Sequence, residues 1–338
     1  MKRIIALLML FSFLLLSACS NDDDQLTTTT EEHKTNEEHS DESTSSQVKE
    51  IKKLKSITTG EELPEEFHTN PFTIMIENSP SARPHSGLAE ADIVYEFEVE
   101  GRITRFLAVF HDQFPEMIGP VRSSRHYYLP IAESYNIPYV HYGGSSYAYE
   151  ELKRISIPNY DGMTQSKAFK RDSTRKAPHN AYFHPYPDSL DNYGDDIESQ
   201  FSFNEGEEIG EILKVSYVYN NFTDIEYVFD KDSTRYTRYL EGKKHEDRNT
   251  GKAIEVRNIL FLTAKHSPIP GDSSGRINVD TKGAGELTLY TNGQEIKGTW
   301  EYKDGTYRYY DDGANELNLN PGTTWVQFIR DMDEVISY

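Results

Sequence analysis

Four polar runs carry the residue types that hold anions or move protons. Gly119-Pro120-Val121-Arg122-Ser123-Ser124-Arg125 sets two guanidiniums three residues apart with hydroxyls between them. A helix beginning near Ser123 would add free N–H groups, and together these would grip an anion. Paired to nearby carboxylates, the same arginines would be structural. The run from Arg171 to Asn180 gathers Arg171, Arg175, Lys176, His179 and Asn180. It is either a solvated loop or an anion-facing one, in a chain that rarely concentrates positive charge. His141-Tyr142-Gly143-Gly144-Ser145 follows a short apolar stretch and precedes a helical one. Its glycines permit a tight turn or the close approach of a ligand. His141 would then stand at a strand's carboxyl end, where open sheets bind ligands. Arg83-Pro84-His85-Ser86-Gly87 is a polar loop after the first apolar strand, either a rigid turn or a functional loop. The candidate ligand-binding residues are Arg83, His85, Arg102, Arg105, Arg122, Ser123, Arg125, His141, Gly143, Gly144, Ser145, Arg171, Arg175, His179 and Asn180.

Carboxylates are the second resource. Glu96, Glu98 and Glu100 share one face of an alternating stretch whose other face is Ile93, Tyr95, Phe97 and Val99. Carboxylates about 7 Å apart repel unless solvent or cations separate them. A wet sheet face is the plain reading. A ladder answered by Arg102 and Arg105, or an acid/base carboxylate with a raised pKa, is the other. In a catalytic reading Glu98 or Glu100 is the acid or base, His141 or His179 shuttles protons, and arginines stabilise negative charge. Ser123, Ser145 and Ser146 lack the strand-to-helix elbow of a serine nucleophile. The Gly143-Gly144 turn lacks the lysine and spacing of a phosphate-cradling loop. His179 and His184 are five apart with Pro185 following, a poor zinc spacing. Neither a metal nor a cofactor is expected.

These residues need elements to position them. From 70 to 209 the pattern mixes strand and helix. Strands are predicted over 72–76, 92–100, 104–111 and 138–142, with Gly101 at a turn. Residues 122–135 have helix-like spacing interrupted by Pro130. Helices are predicted over 145–155, capped by Ser145 or Ser146, and over 186–197, with Pro187 in its first turn. From 210 to 338 nearly everything reads as strand: 215–219, 226–229, 235–240, 253–263, 286–290, 298–303, 306–310 and 325–329. Asn292-Gly293 and Asp304-Gly305 are hairpin turns, with further turns at Asp312-Gly313 and Asn320-Pro321-Gly322. The fold class is α+β: a mixed α/β N-terminal module (70–209) and a mostly antiparallel β C-terminal module (210–338), sandwich-like or barrel-like. The 23 tyrosines against 2 tryptophans suit half-exposed sheets, and they also suit sugar-polymer surfaces.

What precedes residue 70 is an address. Lys2 and Arg3 lead an apolar run from Ile4 to Leu16, too short to span a bilayer, and small residues follow. Leu16-Ser17-Ala18-Cys19 is similar to the lipobox of bacterial lipoproteins. That resemblance implies a signal peptide over 1–18, acylation (palmitate among the chains) at Cys19, and a cell-membrane, extracytoplasmic location. Two or more chains anchor stably where one does not. Cys19 is the single cysteine of 338 residues, so no disulfide holds the fold. Residues 19–69 form an acidic tether. It is almost free of apolar side chains up to Val48, hence disordered there, with a span of roughly 40 Å; a short helical turn is predicted over 49–55. Without Lys2 and Arg3 the chain carries 33 basic against 56 acidic residues. That balance makes nucleic acid a poor partner and leaves membrane association to the lipid.

Taken in order, Arg83–Leu88, Glu100–Arg105, Gly119–Arg125, His141–Ser145 and Arg175–Asn180 resemble the YerB-like lipoproteins of Firmicutes. Tyr236–Tyr239, Gly298–Trp300 and Pro321–Trp325 resemble that family's second module. Ser124 stands where the family often has alanine, and Ala181 where it often has a larger apolar residue. The family is a two-module domain of unknown function, so the resemblance implies architecture and location and no reaction. Three functions remain open: a non-catalytic envelope protein binding an anionic or hydroxyl-rich ligand, such as a wall polymer, or a protein partner; a wall-modifying hydrolase or transferase; and a purely structural scaffold.

Overall fold

Ten strands hydrogen-bond into one mixed sheet, and both ends of the folded chain contribute to it. The computed structural model describes residues 53–67, 70–165, 167–185, 190, 197–206 and 208–338. The signal peptide, Cys19, most of the tether and nearly all of the helix predicted over 186–197 lie outside them. The N-terminal strands are β1 (Phe72–Glu77), β2 (Ile93–Glu98), β3 (Thr104–Phe110), β4 (Tyr139–His141) and β5 (Asn159–Asp161). The sheet runs Thr306–Asp311, Gln294–Lys303, Ala284–Thr291, Asn258–Thr263, Thr324–Ile329, then β2, β3, β1, β4, β5. The join is the parallel pairing of β2 with Thr324–Ile329, which sets Ile93 opposite Thr324 and Glu96 opposite Gln327. The two halves of the chain therefore share a sheet. The tight turns fall where the sequence places them: Asn292, Gly293, Asp304 and Gly305 all have positive φ.

A second sheet of Lys243–Lys244, Arg235–Leu240, Thr223–Asp230, Lys214–Asn220 and Ile336–Ser337 is antiparallel throughout. It covers one face of the large sheet. Val94, Phe106, Ala108, Ile259, Phe261 and Trp325 meet Val215, Tyr217, Tyr219, Tyr227 and Tyr236 there. The other face packs on α1 (Leu129–Ser134) and the 3-10 turn His126–Tyr128 before it. In that core Tyr95, Phe97 and Leu107 meet Tyr128, Leu129, Ile131 and Tyr135. Pro130 opens α1 and does not break it, since its missing N–H costs nothing in the first turn. α2 (Ser146–Leu152) is capped by Ser145, whose Oγ accepts from the Ala148 N–H at 3.0 Å. The predicted 253–263 strand is two strands, Glu255–Val256 in the smaller sheet and Asn258–Thr263 in the larger.

Two expectations change. The glutamate face of β2 is not wet. Every residue of β2 is buried, with Glu96 and Glu98 at 0% and 1% exposure, because the second sheet covers that face. The placed chain also starts well before residue 69, and residues 53–55 are not helical. Thr58 and Thr59 donate to Asp92 Oδ2 (3.1 Å) and Asp112 Oδ2 (2.6 Å), Gly322 N–H donates to Thr59 O, and Arg235 pairs with Glu61. Hydroxyls fasten much of this segment, with Ile57 its contribution to the core, so hydrophobicity alone gave little sign of it.

Between the sheets runs a polar chain. Arg238 Nη2 donates to Glu96 Oε2 at 2.8 Å, with both side chains at 0% exposure. Arg238 Nη1 lies 2.7 Å from His245 Nδ1, His245 Nε2 lies 2.9 Å from His85 Nδ1, and His85 Nε2 lies 2.7 Å from Glu77 O. A guanidinium has no acceptor, so each link has one direction: arginine donates to His245, His245 to His85, and His85 to the carbonyl. Both imidazoles are neutral. Burial, then the charge of Arg83, pushes His85 down to about 3, and burial with Arg238 drives His245 well below its ordinary value. Arg238 also lies 4.3 Å above the Trp325 ring.

Two outcomes follow. Arg238→Met leaves Glu96 buried without its counter-ion and should cost about 3–5 kcal/mol, read from denaturant unfolding at pH 7. An unchanged midpoint would refute the pairing. Depressed folded-state histidine values give stability that is complete above pH ~6.5 and is lost as pH falls. His85→Gln should therefore reduce the loss of unfolding free energy between pH 6 and 5 by about 1 kcal/mol relative to the parent.

Candidate functional site

Strand directions gather the polar runs. β1 and β2 are each antiparallel to β3, β4 and β5 run parallel to β1, and Thr324–Ile329 runs parallel to β2 and to Asn258–Thr263. Six strands thus end on one edge of the sheet. Glu77 closes β1, Glu98 closes β2, His141 closes β4 and Asp161 closes β5. The segment 119–124 wedges between the ends of β1 and β4. Arg122 N–H donates to Met75 O, Tyr142 N–H to Arg122 O, Ser124 N–H to Gly143 O and Ser145 N–H to Ser124 O. Ser124 N–H is thereby engaged, and the first helical turn starts only at His126. Ser123 is not a helix N-terminus, which removes that part of the expected anion grip.

Glu77 is the centre of the arrangement. It is almost fully buried, yet it faces the partly exposed Arg122 and His179. His179 Nδ1 lies 2.8 Å from Glu77 Oε2, and Ser79 Oγ donates to Glu77 Oε1 at 2.9 Å. Arg122 Nε sits 3.0 Å from the same Oε2, an ion pair without hydrogen-bond alignment. Among the described residues, the terminal nitrogens of Arg122 and the Nε2 of His179 make no hydrogen bond. Arg171 extends the cluster: Nη1 donates to Asn180 Oδ1 at 2.7 Å and Nη2 to the Tyr142 hydroxyl at 2.9 Å. Arg175 donates to the carbonyls of Ala82 (2.8 Å) and Pro84 (2.7 Å), clamping the Arg83 loop. Among the described residues, Arg171 and Arg175 thus have only neutral acceptors, and the cluster keeps surplus positive charge. Asp172 is engaged by Arg248 at 2.6 Å; its pKa is held down to about 2, by Thr174 first and Arg248 second.

A second group surrounds the other glutamates. Glu98 accepts from Arg330 at 2.6 Å and from Arg102 at 3.4 Å. Glu100 pairs with Arg125 and lies 3.7 Å from Arg276. Burial raises Glu100, but Arg125 together with a backbone hydrogen bond and Arg105 outweighs it and leaves the group below the usual carboxylate range. Arg105 is buried, donates to Ser123 O at 2.6 Å and, among the described residues, has no carboxylate within ion-pair distance. The ladder is answered by Arg238, Arg330, Arg125 and Arg276 as well as Arg102, and not by Arg105.

The predicted residues therefore separate. Arg122, Arg171, Arg175, His179 and Asn180 come together. Arg83 holds the loop below them, donating to Asn78 O, Phe222 O and Glu241. His85 is sealed in the core. Arg102, Arg105, Arg125, Glu98 and Glu100 form the second group. His141 is buried between Gly143 O (2.8 Å) and Asn159 Oδ1 (2.6 Å) and orders the turn carrying Gly143, Gly144 and Ser145. Glu77 and Ser79 were missed. Their signal was a charged residue ending an apolar strand, Phe72-Thr73-Ile74-Met75-Ile76-Glu77, followed by Asn78-Ser79.

The chain matches two family models: the N-terminal domain of a protein of unknown function (DUF3048) over residues 58–201, and the DUF3048 C-terminal domain over 213–326. It is 33% identical over 294 residues, 83% of this chain and 88% of the relative, to a Bacillus subtilis (strain 168) protein named "Putative lipoprotein YerB". The crystal structure of the YerB protein from Bacillus subtilis superposes with a TM-score of 0.76 at 31% identity, covering 85% of this chain and all of that one.

Arg175→Ala removes two hydrogen bonds that join separate loops. Amide hydrogen exchange in residues 82–86 should quicken, with a stability loss of about 1–3 kcal/mol. Unaltered exchange there would mean that Arg175 does not position the loop.

Proposed function

The chain belongs to the DUF3048 family, and from that premise we propose that it is a lipid-anchored envelope protein that captures an anionic ligand at the Glu77–Arg122–His179 cluster. One observation carries the reading: Arg122 and His179 are aimed by a buried carboxylate and keep unengaged nitrogens at a partly exposed surface. Glu77 neutralises about one charge, while Arg171 and Arg175 add two more on neutral acceptors. An anion gains from that surplus, and Arg122 offers a two-pronged donor. In a chain of net charge −21 such a patch is the favoured landing place for negative groups. Anchoring through Cys19 on the outer membrane face would hold it among wall polymers, which carry such groups.

A hydrolase or transferase is the second reading. The carboxylate beside a histidine is Glu77 and not Glu98 or Glu100, and the Ser79 hydroxyl lies 2.9 Å from Glu77 Oε1 and 3.5 Å from His179 Nδ1. Glu98 and Glu100 each face two guanidiniums, so neither is a free base.

The experiment is calorimetric titration of the folded protein with polyvinyl sulfate and with purified anionic wall polymer. Arg122→Ala/His179→Ala should weaken binding about tenfold or more, with a salt slope shallower than the parent's. Equal binding by parent and variant would remove the site. Polymer recovered shortened or modified would favour the catalytic reading, with Ser79→Ala abolishing the change. Separately, Cys19→Ala should move the protein from the membrane fraction to the soluble fraction on cell fractionation. Retention in the membrane would contradict lipid anchoring.

A further inference from the structure

The strip of surface running away from the anion cluster is built differently from the cluster itself. Arg171 joins the two, since it bonds Asn180, next to His179, and its guanidinium lies 5.2 Å from the centroid of the Tyr142 ring. Tyr142 leads into Gly143 and Gly144. Beyond these lie two large exposed side chains, Tyr149 and Met163, at 39% and 63% exposure. They flank the bare backbone. A Cβ on Gly144 would meet the Tyr149 ring at 3.4 Å, and one on Gly143 would come within 3.7 Å of Met163 Cγ and 3.4 Å of Ser123 Oγ. Gly143 has φ +76, so its turn requires glycine. Gly144 has no such requirement, and the Tyr149 ring packs directly against its bare backbone.

Tyr149 is held rigidly. Its hydroxyl donates to Asp161 Oδ2 at 2.8 Å, while Asp161 Oδ1 accepts from the N–H groups of Gly143 (2.8 Å) and Met163 (2.9 Å). One carboxylate thus ties the aromatic ring, the glycine turn and the backbone of Met163 together. Asp161 is buried and turns its oxygens onto these three neutral donors, so its carboxylate charge stays beneath the strip. Exposed aromatic and thioether surface beside a flat backbone suits the apolar C–H face of a sugar ring.

We propose that the ligand is a glycan polyanion, with a sugar ring stacked over Tyr149 and Met163 across the Gly143–Gly144 floor while its anionic group sits on Arg122 and His179. This rests on the anion-binding reading above and adds the sugar to it. The arrangement accounts for the glycine turn beside the cation cluster: one chain of contacts, His179–Asn180–Arg171–Tyr142–Gly143, leads from charge to stacking surface.

Two sulfated polymers of equal charge density separate the parts. Dextran sulfate carries sulfate on sugar rings, and polyvinyl sulfate carries it on a hydrocarbon chain. Tyr149→Ala/Met163→Ala should weaken dextran sulfate binding roughly three- to tenfold and leave polyvinyl sulfate binding unchanged. Tyr149→Phe keeps the ring without the bond to Asp161 and should retain most dextran sulfate affinity. Circular dichroism and the melting temperature show whether each variant is folded. Equal effects on both polymers, or none on dextran sulfate, overturn the sugar subsite while the anion reading stands. Loss of neither polymer in Arg122→Ala/His179→Ala overturns the anion reading itself.

Discussion

The buried ion pair between Glu96 and Arg238 is the constraint around which this molecule is arranged. Taking both charges out of water costs several kcal/mol each, and only their close approach and further hydrogen bonds offset that cost. Here the bonds are supplied in full. Glu96 Oε1 accepts from Thr104 Oγ1 and Asn78 Nδ2, and Arg238 is completed by Tyr227 and His245. Every partner must be in register before the pair is tolerable. Glu96 lies on β2 and Arg238 on the facing sheet, more than a hundred residues apart, so the pair forms only when both halves of the chain have folded onto each other. The neutral histidines carry the same constraint onward to Glu77 O, the backbone of the residue whose side chain orients Arg122 and His179. Core and candidate site are thus tied through one residue.

That tie explains the shape of the polar edge. The parallel pairing of β2 with Thr324–Ile329 delivers Arg330 to Glu98, and the return of the chain from Asn258–Thr263 aligns its end beside them. Loops from remote segments then meet above the strand ends. Arg248 holds Asp172 from the C-terminal half, while Arg175 holds the Arg83 loop from the N-terminal half. The loop carrying His179 is braced on both sides, so a partly exposed histidine keeps a defined place without full burial. Rigid support of loop residues of this kind is what ligand sites require.

How much of this the sequence disclosed depended on whether the signal was local. Asn292-Gly293 and Asp304-Gly305 announce their turns because positive φ at adjacent positions is a property of those residues alone. Ser145 announces its helix for the same reason. The glutamate face of β2 could not be read, because what covers it comes from Thr223–Asp230 and Arg235–Leu240, and alternation shows only that one face is polar. The tyrosines misled in a related way. Tyr95, Tyr219 and Tyr227 are core residues whose hydroxyls bond Tyr135, Gln327 and Arg238, so a residue type associated with half-wet sheets fills a sealed interior. Among the candidate arginines, sequence spacing gave the number of cations but not their acceptors. Only the acceptors distinguish Arg83, a loop brace, from Arg122, whose terminal nitrogens make no hydrogen bond among the described residues.

The acceptors also determine what the edge can attract. A guanidinium between two carboxylates is neutralised, whereas one bonded to carbonyls or amides keeps its charge while losing its freedom. Arg105, Arg171 and Arg175 are all of the second kind: their partners are Ser123 O, Asn180 Oδ1 with the Tyr142 hydroxyl, and the carbonyls of Ala82 and Pro84. Each was made immobile without being discharged. Arg105 is the costliest, since burial and then Arg125 push its pKa below the usual arginine value. Fixed cations whose acceptors are neutral leave positive charge along one edge of an acidic chain, and donors already held in orientation need no rearrangement to bond.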